Sequence, residues 1–143
     1  KKSLAAATLL FDVLKGYVSI IIAYKYFNEL IYLSALICFI GHIFPVWLKF
    51  KGGKGVATYL GIILGISFML SIVFSITWML TAIIFRYSSL SSILGSIVVC
   101  IYSFYTSNEV QSYFLFIIFI IILFTHKKNI IRLKNSKENK IKL

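Results

Sequence analysis

The run Lys51-Gly52-Gly53-Lys54-Gly55 packs three glycines and two ammonium groups into five residues. Glycine reaches φ > 0 at little cost, so consecutive backbone N–H groups can turn into one concave nest. A helix starting near Val56–Thr58 adds its dipole to that nest, and Lys54 adds a full positive charge. Together these features suit a phosphate. The loop is not a Walker A motif, because the G-x-x-x-x-G-K-[ST] spacing is absent. The same composition also fits a basic, flexible loop that only sets membrane topology.

Three further groupings have chemical potential. Arg86-Tyr87-Ser88-Ser89-Leu90-Ser91-Ser92 sets four hydroxyls beside a guanidinium. Such hydroxyls can donate to phosphate or accept from a substrate alcohol. In the plainer reading, Ser91 or Ser92 simply caps the helix that follows. Asp12 and Lys15 stand three apart in an otherwise apolar run. Because an ionisable group deep in lipid costs ~2.5–3.5 kcal/mol, they should face the protein interior or the interface. Mutual pairing, and positioning of the glycine loop or of substrate, are all open to them. His126 and Asn129, also three apart, close the last apolar run amid Lys127 and Lys128. Both can look back toward a site at that membrane face, while the lysines suit an interfacial anchor. No Ser–His–Asp set and no Cys/His metal spacing is present, and four acidic residues in all leave little room for two-carboxylate catalysis. Neither metal nor cofactor is expected.

The elements that must hold these groups are apolar helices. Of 143 residues, 60% are hydrophobic and 17% aromatic, far more than one modest soluble core can bury. Uncharged stretches recur at Ile31–Trp47, Val56–Phe85, Ile93–Tyr105 and Tyr113–Thr125, against ~20 helical residues for one membrane span. Asp12 and Lys15 interrupt Ser3–Tyr24 and no A-x-A site follows, which argues against a cleaved signal peptide. Cys38 and Cys100 lie inside apolar runs and read as packing residues. The reading is an all-α integral membrane protein with helices at about 3–24, 30–47, 56–69, 70–85, 93–107 and 111–125.

Charge decides the one ambiguous stretch. Val56–Phe85 is thirty residues without a charge, about 45 Å as one helix, too long for one relaxed span. With two spans there, Lys1, Lys2, Lys49, Lys51, Lys54, Arg86 and seven basic residues of the tail share one side, thirteen in all, against Lys25 opposite. One long span splits them five against nine. The positive-inside rule favours two, with a turn near Gly65 or Ser67–Ser71. Six spans follow, with both ends cytoplasmic and the loops at 48–55 and 86–92 on the same face as the tail from His126. This distribution of the +11 net charge is that of a membrane protein, and nucleic acid is not an expected partner.

Gly41-His-Ile-Phe-Pro-Val-Trp-Leu-Lys-Phe-Lys-Gly-Gly-Lys-Gly-Val-Ala-Thr58 resembles the second signature of the bacterial acyl-phosphate:glycerol-3-phosphate acyltransferases, the PlsY family. Arg86–Ile93 resembles its third signature, and Asp12-Val-Leu-Lys-Gly16 and His126–Leu133 match further family features in order and spacing. The resemblance implies a single polytopic domain over residues 1–143. It implies an enzyme of phospholipid synthesis that moves a fatty acyl group from acyl phosphate to the 1-hydroxyl of glycerol 3-phosphate, giving lysophosphatidate and phosphate. By that likeness Gly52, Gly53, Lys54 and Gly55 hold substrate phosphate, with Arg86 and Ser92 also binding. Lys54, Ser89, His126 and Asn129 match the catalytic positions. Residence in the bacterial inner membrane with a cytoplasmic active site is implied too, as is partnership with an enzyme that forms acyl phosphate. The family has a seventh helix and a G-S-x-N-x-G-A-T-N loop, which would stand ahead of Lys1. The expectation is a fragment, or a member lacking part of the site.

An acyl phosphate is an activated mixed anhydride, so few acid–base residues suffice. The work is to position two anions and to neutralise charge as phosphate departs. Two rivals remain at this stage. A transporter of phosphate-bearing small molecules needs polar groups near the midplane and access from both sides, whereas the polar clusters here gather at one face. A non-catalytic scaffold leaves the three-glycine loop without a purpose.

Overall fold

A computed structural model of the chain describes residues 2–50 and 52–141. The described residues form helices and connecting turns: α1 (Lys2–Tyr26), α2 (Ile31–Ile43), α3 (Val56–Ile66), α4 (Phe68–Phe85), α5 (Ser88–Thr106), α6 (Glu109–Thr125) and α7 (Lys127–Lys134). Two compact units, Lys1–Ser71 and Ile72–Leu143, divide the chain, with the boundary inside α4.

In the first unit α1 packs chiefly on α3, and α2 on α1. The α1–α3 contact is made backbone to backbone. A Cβ on Gly16 would strike Thr58 O and Ile62 N, and a Cβ on Gly61 would strike Val13 O and Tyr17 N. Small residues allow helices in lipid this approach, since van der Waals contact replaces the missing hydrophobic drive. Pro45 terminates α2 as the sequence predicts: Phe44 closes the helix and Pro45 is extended. The predicted interruption near Ser67 is also present, where an extended backbone (φ −158°, ψ 123°) ends α3.

In the second unit α5 packs on α6. Ser96, Val99, Ser103, Ser112, Leu115 and Ile118 are all buried, and the Ser103 and Ser112 hydroxyls meet at 3.1 Å. Asn108 caps α6, its side chain accepting from the Gln111 N–H at 2.8 Å. At His126 the chain turns by 62° into α7.

Four helical stretches are long and apolar enough to cross a membrane, Ser3–Tyr26, Asn28–Leu48, Phe68–Phe85 and Ser88–Thr106, or five if the bent α6–α7 pair counts as one. Their surfaces carry exposed Leu9, Phe11, Ile37, Leu80, Ile84 and Phe104, as lipid contact requires. The protein is therefore a multi-pass helical membrane protein. The expected span at 56–69 is realised as the eleven residues of α3, about 16 Å long, half the hydrocarbon thickness. The helix expected from residue 93 begins five residues earlier, with Tyr87 as its N-cap. Ser91 and Ser92 are thus inside α5, and the capping role considered for them is wrong.

Candidate functional site

The glycine loop in the first unit has the conformation its composition suggests. Gly55 is left-handed (φ 86°) and caps α3, with Phe39 filling the space where a side chain would be. Tyr59 N donates to Gly55 O at 2.7 Å, so the intrahelical ladder starts there. The N–H groups of the first turn lie ahead of that ladder and suit an anion. The approach to the loop is tightly wound, with Lys49 (φ 51°) and Phe50 (φ 60°) both in the left-handed region. Gly52 N donates to Ile43 O at 3.1 Å, tying the loop to the end of α2. Lys54 is exposed.

Beneath the loop lies a set of charges that only the fold could join. Lys15 Nζ stands 2.6 Å from Asp12 Oδ1 and 2.6 Å from His42 Nδ1. An ammonium has only protons to offer, so His42 Nδ1 accepts and the ring proton sits on Nε2. That nitrogen faces Gly53, where an added Cβ would collide with it. Asp12, Lys15 and His42 line a cleft of about 520 Å³ together with Gly52, Gly53 and Trp47. The mutual pairing open to Asp12 and Lys15 is present, and Lys15 also reaches His42, whose Nε2 lies beside Gly53 of the loop. His42 has no role in the sequence reading, yet the fold joins it to Lys15 and Asp12. The signal was its place one residue after Gly41 in the quoted motif, but its partner lies 27 positions away.

The second unit brings together Ser89 and Asn129, and the agent is a residue not singled out in the sequence. Glu138, in the non-helical segment after α7, accepts from Ser89 Oγ at 2.7 Å and from Asn129 Nδ2 at 2.6 Å through Oε1. Its Oε2 accepts from Arg132 Nε at 2.6 Å. Burial pushes the Glu138 carboxyl up. Hydrogen bonds from Arg132, Asn129 and Ser89, with the Arg132 charge, outweigh this and hold it down to about 2. Arg86 is left-handed (φ 63°) at the α4–α5 junction. Its carbonyl accepts from Ile141 N at 2.6 Å, and its Nε donates to Ile141 O at 3.3 Å. The tail read as a basic anchor is thus also a strap across 86–89.

The other predicted residues of this unit are placed differently. His126 is 1% exposed, with Nδ1 at 2.9 Å from Ile122 O; a carbonyl only accepts, so Nδ1 carries a proton. Ser92 Oγ donates to Ser88 O at 2.9 Å and accepts from Trp78 Nε1 at 3.2 Å. Ser92 is buried and occupied with its own helix and Trp78.

Apolar helices with polar clusters at their ends define a multi-pass helical membrane protein. The profile of the glycerol-3-phosphate acyltransferase family matches residues 1–136. Glycerol-3-phosphate acyltransferase of Pelagibacter ubique is 45% identical over 142 residues, covering 99% of this chain and 74% of that protein. The Ehrlichia canis enzyme of that name is 46% identical over 144 residues, covering 98% and 74%. A crystal structure of PlsY, an integral membrane glycerol 3-phosphate acyltransferase in its glycerol 3-phosphate form, matches with a TM-score of 0.94 at 30% identity. It covers 99% of this chain and 72% of that one. The lysophosphatidic acid form matches at 0.92 and 31% identity, covering 97% and 73%. The chain belongs to the glycerol-3-phosphate acyltransferase family.

Proposed function

We infer that this chain transfers a fatty acyl group from acyl phosphate to the 1-hydroxyl of glycerol 3-phosphate, releasing lysophosphatidate and phosphate. It is an acyltransferase of phospholipid synthesis, and relatives with that activity over nearly its whole length support this. No relative favours the transporter reading. In the reaction the hydroxyl oxygen attacks the acyl carbonyl carbon, the bond from that carbon to the phosphate oxygen breaks, and phosphate carries off the electron pair. The departing phosphate takes the hydroxyl proton.

The observation that carries the site assignment is the glycine loop with left-handed Gly55 at the head of α3. We assign Gly53 and Gly55 to hold a substrate phosphate through their amides, Gly52, whose N–H is taken by Ile43 O, to fix the loop that presents them, and Lys54 to neutralise charge as phosphate leaves. Ser89, His126 and Asn129 orient the reacting alcohol. Arg86 adds positive charge, and Ser92 keeps Ser88 and Trp78 in place. No carboxylate of the chain serves as base: Glu138, with its carboxyl at about 2, is far too weak a proton acceptor near neutral pH. Residues 1–143 are assigned to a single polytopic acyltransferase domain.

The proposed topology has six spans, α3 being a short one shielded by protein, both termini cytoplasmic and the reaction at the cytoplasmic face of the inner membrane. The charge distribution supports it. An enzyme that makes acyl phosphate must supply the donor.

The test is phosphate release from acyl phosphate in proteoliposomes, with and without glycerol 3-phosphate. Release should be stimulated by glycerol 3-phosphate, and Lys54→Ala should cut the stimulated rate by about 100-fold, the scale for losing one transition-state donor. A normal rate in Lys54→Ala sinks the assignment of that lysine.

A further inference from the structure

We propose that Glu138 is a positioning residue: it fixes Ser89 as a hydrogen-bond acceptor and sets the amide of Asn129 beside it, making the pair a seat for the substrate's alcohol. This rests on the acyltransferase reading above.

The argument starts from what a carboxylate can do. When ionised it only accepts. Its Oε1 therefore takes the Ser89 hydroxyl proton and an Asn129 amide proton, at 2.7 and 2.6 Å. The Ser89 proton is thereby committed, which leaves the oxygen's lone pairs to meet a further group. The amide of Asn129 is oriented as well, since the atom facing the carboxylate must be Nδ2 and Oδ1 points away. The Ser89 lone pairs welcome an O–H, and Asn129, with its amide oxygen and second amide proton, can accept from or donate to the same alcohol.

Ser89 is set apart from its neighbours in this respect. Ser91, Ser92 and Ser96 donate to carbonyls of their own helix, at Tyr87, Ser88 and Ile93, the usual resort of a helical serine. Ser89 instead reaches a residue 49 positions away. The Glu138 side chain is only 8% exposed, and three charge-assisted bonds hold it. The Ile141 N–H to Arg86 carbonyl bond anchors the strap that carries it. Glu138 also neutralises Arg132, which would otherwise give the cluster a net attraction for anions.

Glu138→Gln tests this directly, because one carbonyl and one NH₂ cannot receive three donors. The expected result is a KM for glycerol 3-phosphate raised about 10-fold, the worth of one well-formed hydrogen bond to a charged group. The KM for acyl phosphate and its slow hydrolysis by water should stay unchanged. Ser89→Ala should raise the same KM. In the Ser89→Ala background Glu138→Gln should add less than it does alone, since part of its effect passes through that hydroxyl. An equal rise in both KM values, or fully additive effects, overturns the proposal and leaves Glu138 a folding residue. Glu138→Asp, which keeps the acceptor, should recover part of the affinity; no recovery counts the same way. Wild-type phosphate release that ignores glycerol 3-phosphate overturns the acyltransferase reading and this inference with it.

Discussion

Adding one methyl group at Gly53 tests whether the charged set below the glycine loop holds that loop in place. A Cβ there would collide with His42 Nε2, the nearest heavy atom to it. His42 cannot step aside cheaply, because Lys15 Nζ holds its Nδ1 at 2.6 Å and Asp12 holds Lys15 at 2.6 Å. Either the ring loses that hydrogen bond or the loop shifts. Overpacking of this kind costs about 1–3 kcal/mol. If the whole cost falls on transition-state binding, at 1.36 kcal/mol per tenfold, kcat/KM drops by about 5- to 150-fold. The assay is glycerol 3-phosphate-dependent phosphate release by Gly53→Ala, His42→Ala and the double variant. His42→Ala removes the obstacle, so Gly53→Ala should cost little in that background, with a coupling of at least ~1 kcal/mol between the two. Full activity in Gly53→Ala, or the same loss with and without the His42 ring, refutes the reasoning.

Two further outcomes concern stability. Gly61→Ala drives a methyl group into the α1 backbone at Val13 and Tyr17, whereas a Cβ on Gly41 meets nothing within 4 Å. Thermal unfolding in detergent should show Gly61→Ala destabilised by about 1–3 kcal/mol and Gly41→Ala stabilised by up to about 1 kcal/mol through helix propensity. The opposite ordering sinks the account of the α1–α3 contact. Acid should release the strap: an ordinary glutamate titrates near 4.5 and folded Glu138 at about 2, so the folded state binds fewer protons between those values. Its contribution is complete above the unfolded pKa and is lost as pH falls through about 2. Amide exchange in residues 135–141, corrected for intrinsic rate, should lose protection from pH 5 toward pH 2 in wild type. The Glu138→Gln variant should not show this trend.

What could be read from the sequence, and what could not, follows from the range of the physics involved. Local signals carried: Pro45 ends α2, Gly55 caps α3 and Ser67 breaks the long apolar run, each because backbone preference acts over one or two residues. The sequence does not locate the start of α5, because four serines look like cap residues while the helix begins among them at Ser88. In that helix Ser91 and Ser92 satisfy themselves on carbonyls four residues back, which hides them from a cap-based reading. Long-range pairs were invisible. Lys15 and His42 are 27 apart, and Ser89 and Glu138 are 49 apart; no periodicity links them. Glu138 was further masked by a tail in which seven of the last seventeen residues are basic, so that one carboxylate seemed only to dilute an anchor.

In both units one charged side chain fixes the proton of a neighbour. Lys15 forces His42 to present N–H beside the glycine loop, and Glu138 forces Ser89 to present lone pairs. A donor beside the loop suits a phosphate oxygen, and an acceptor at Ser89 suits an alcohol. Exchanging either charge should therefore change which proton its neighbour presents before it changes the fold.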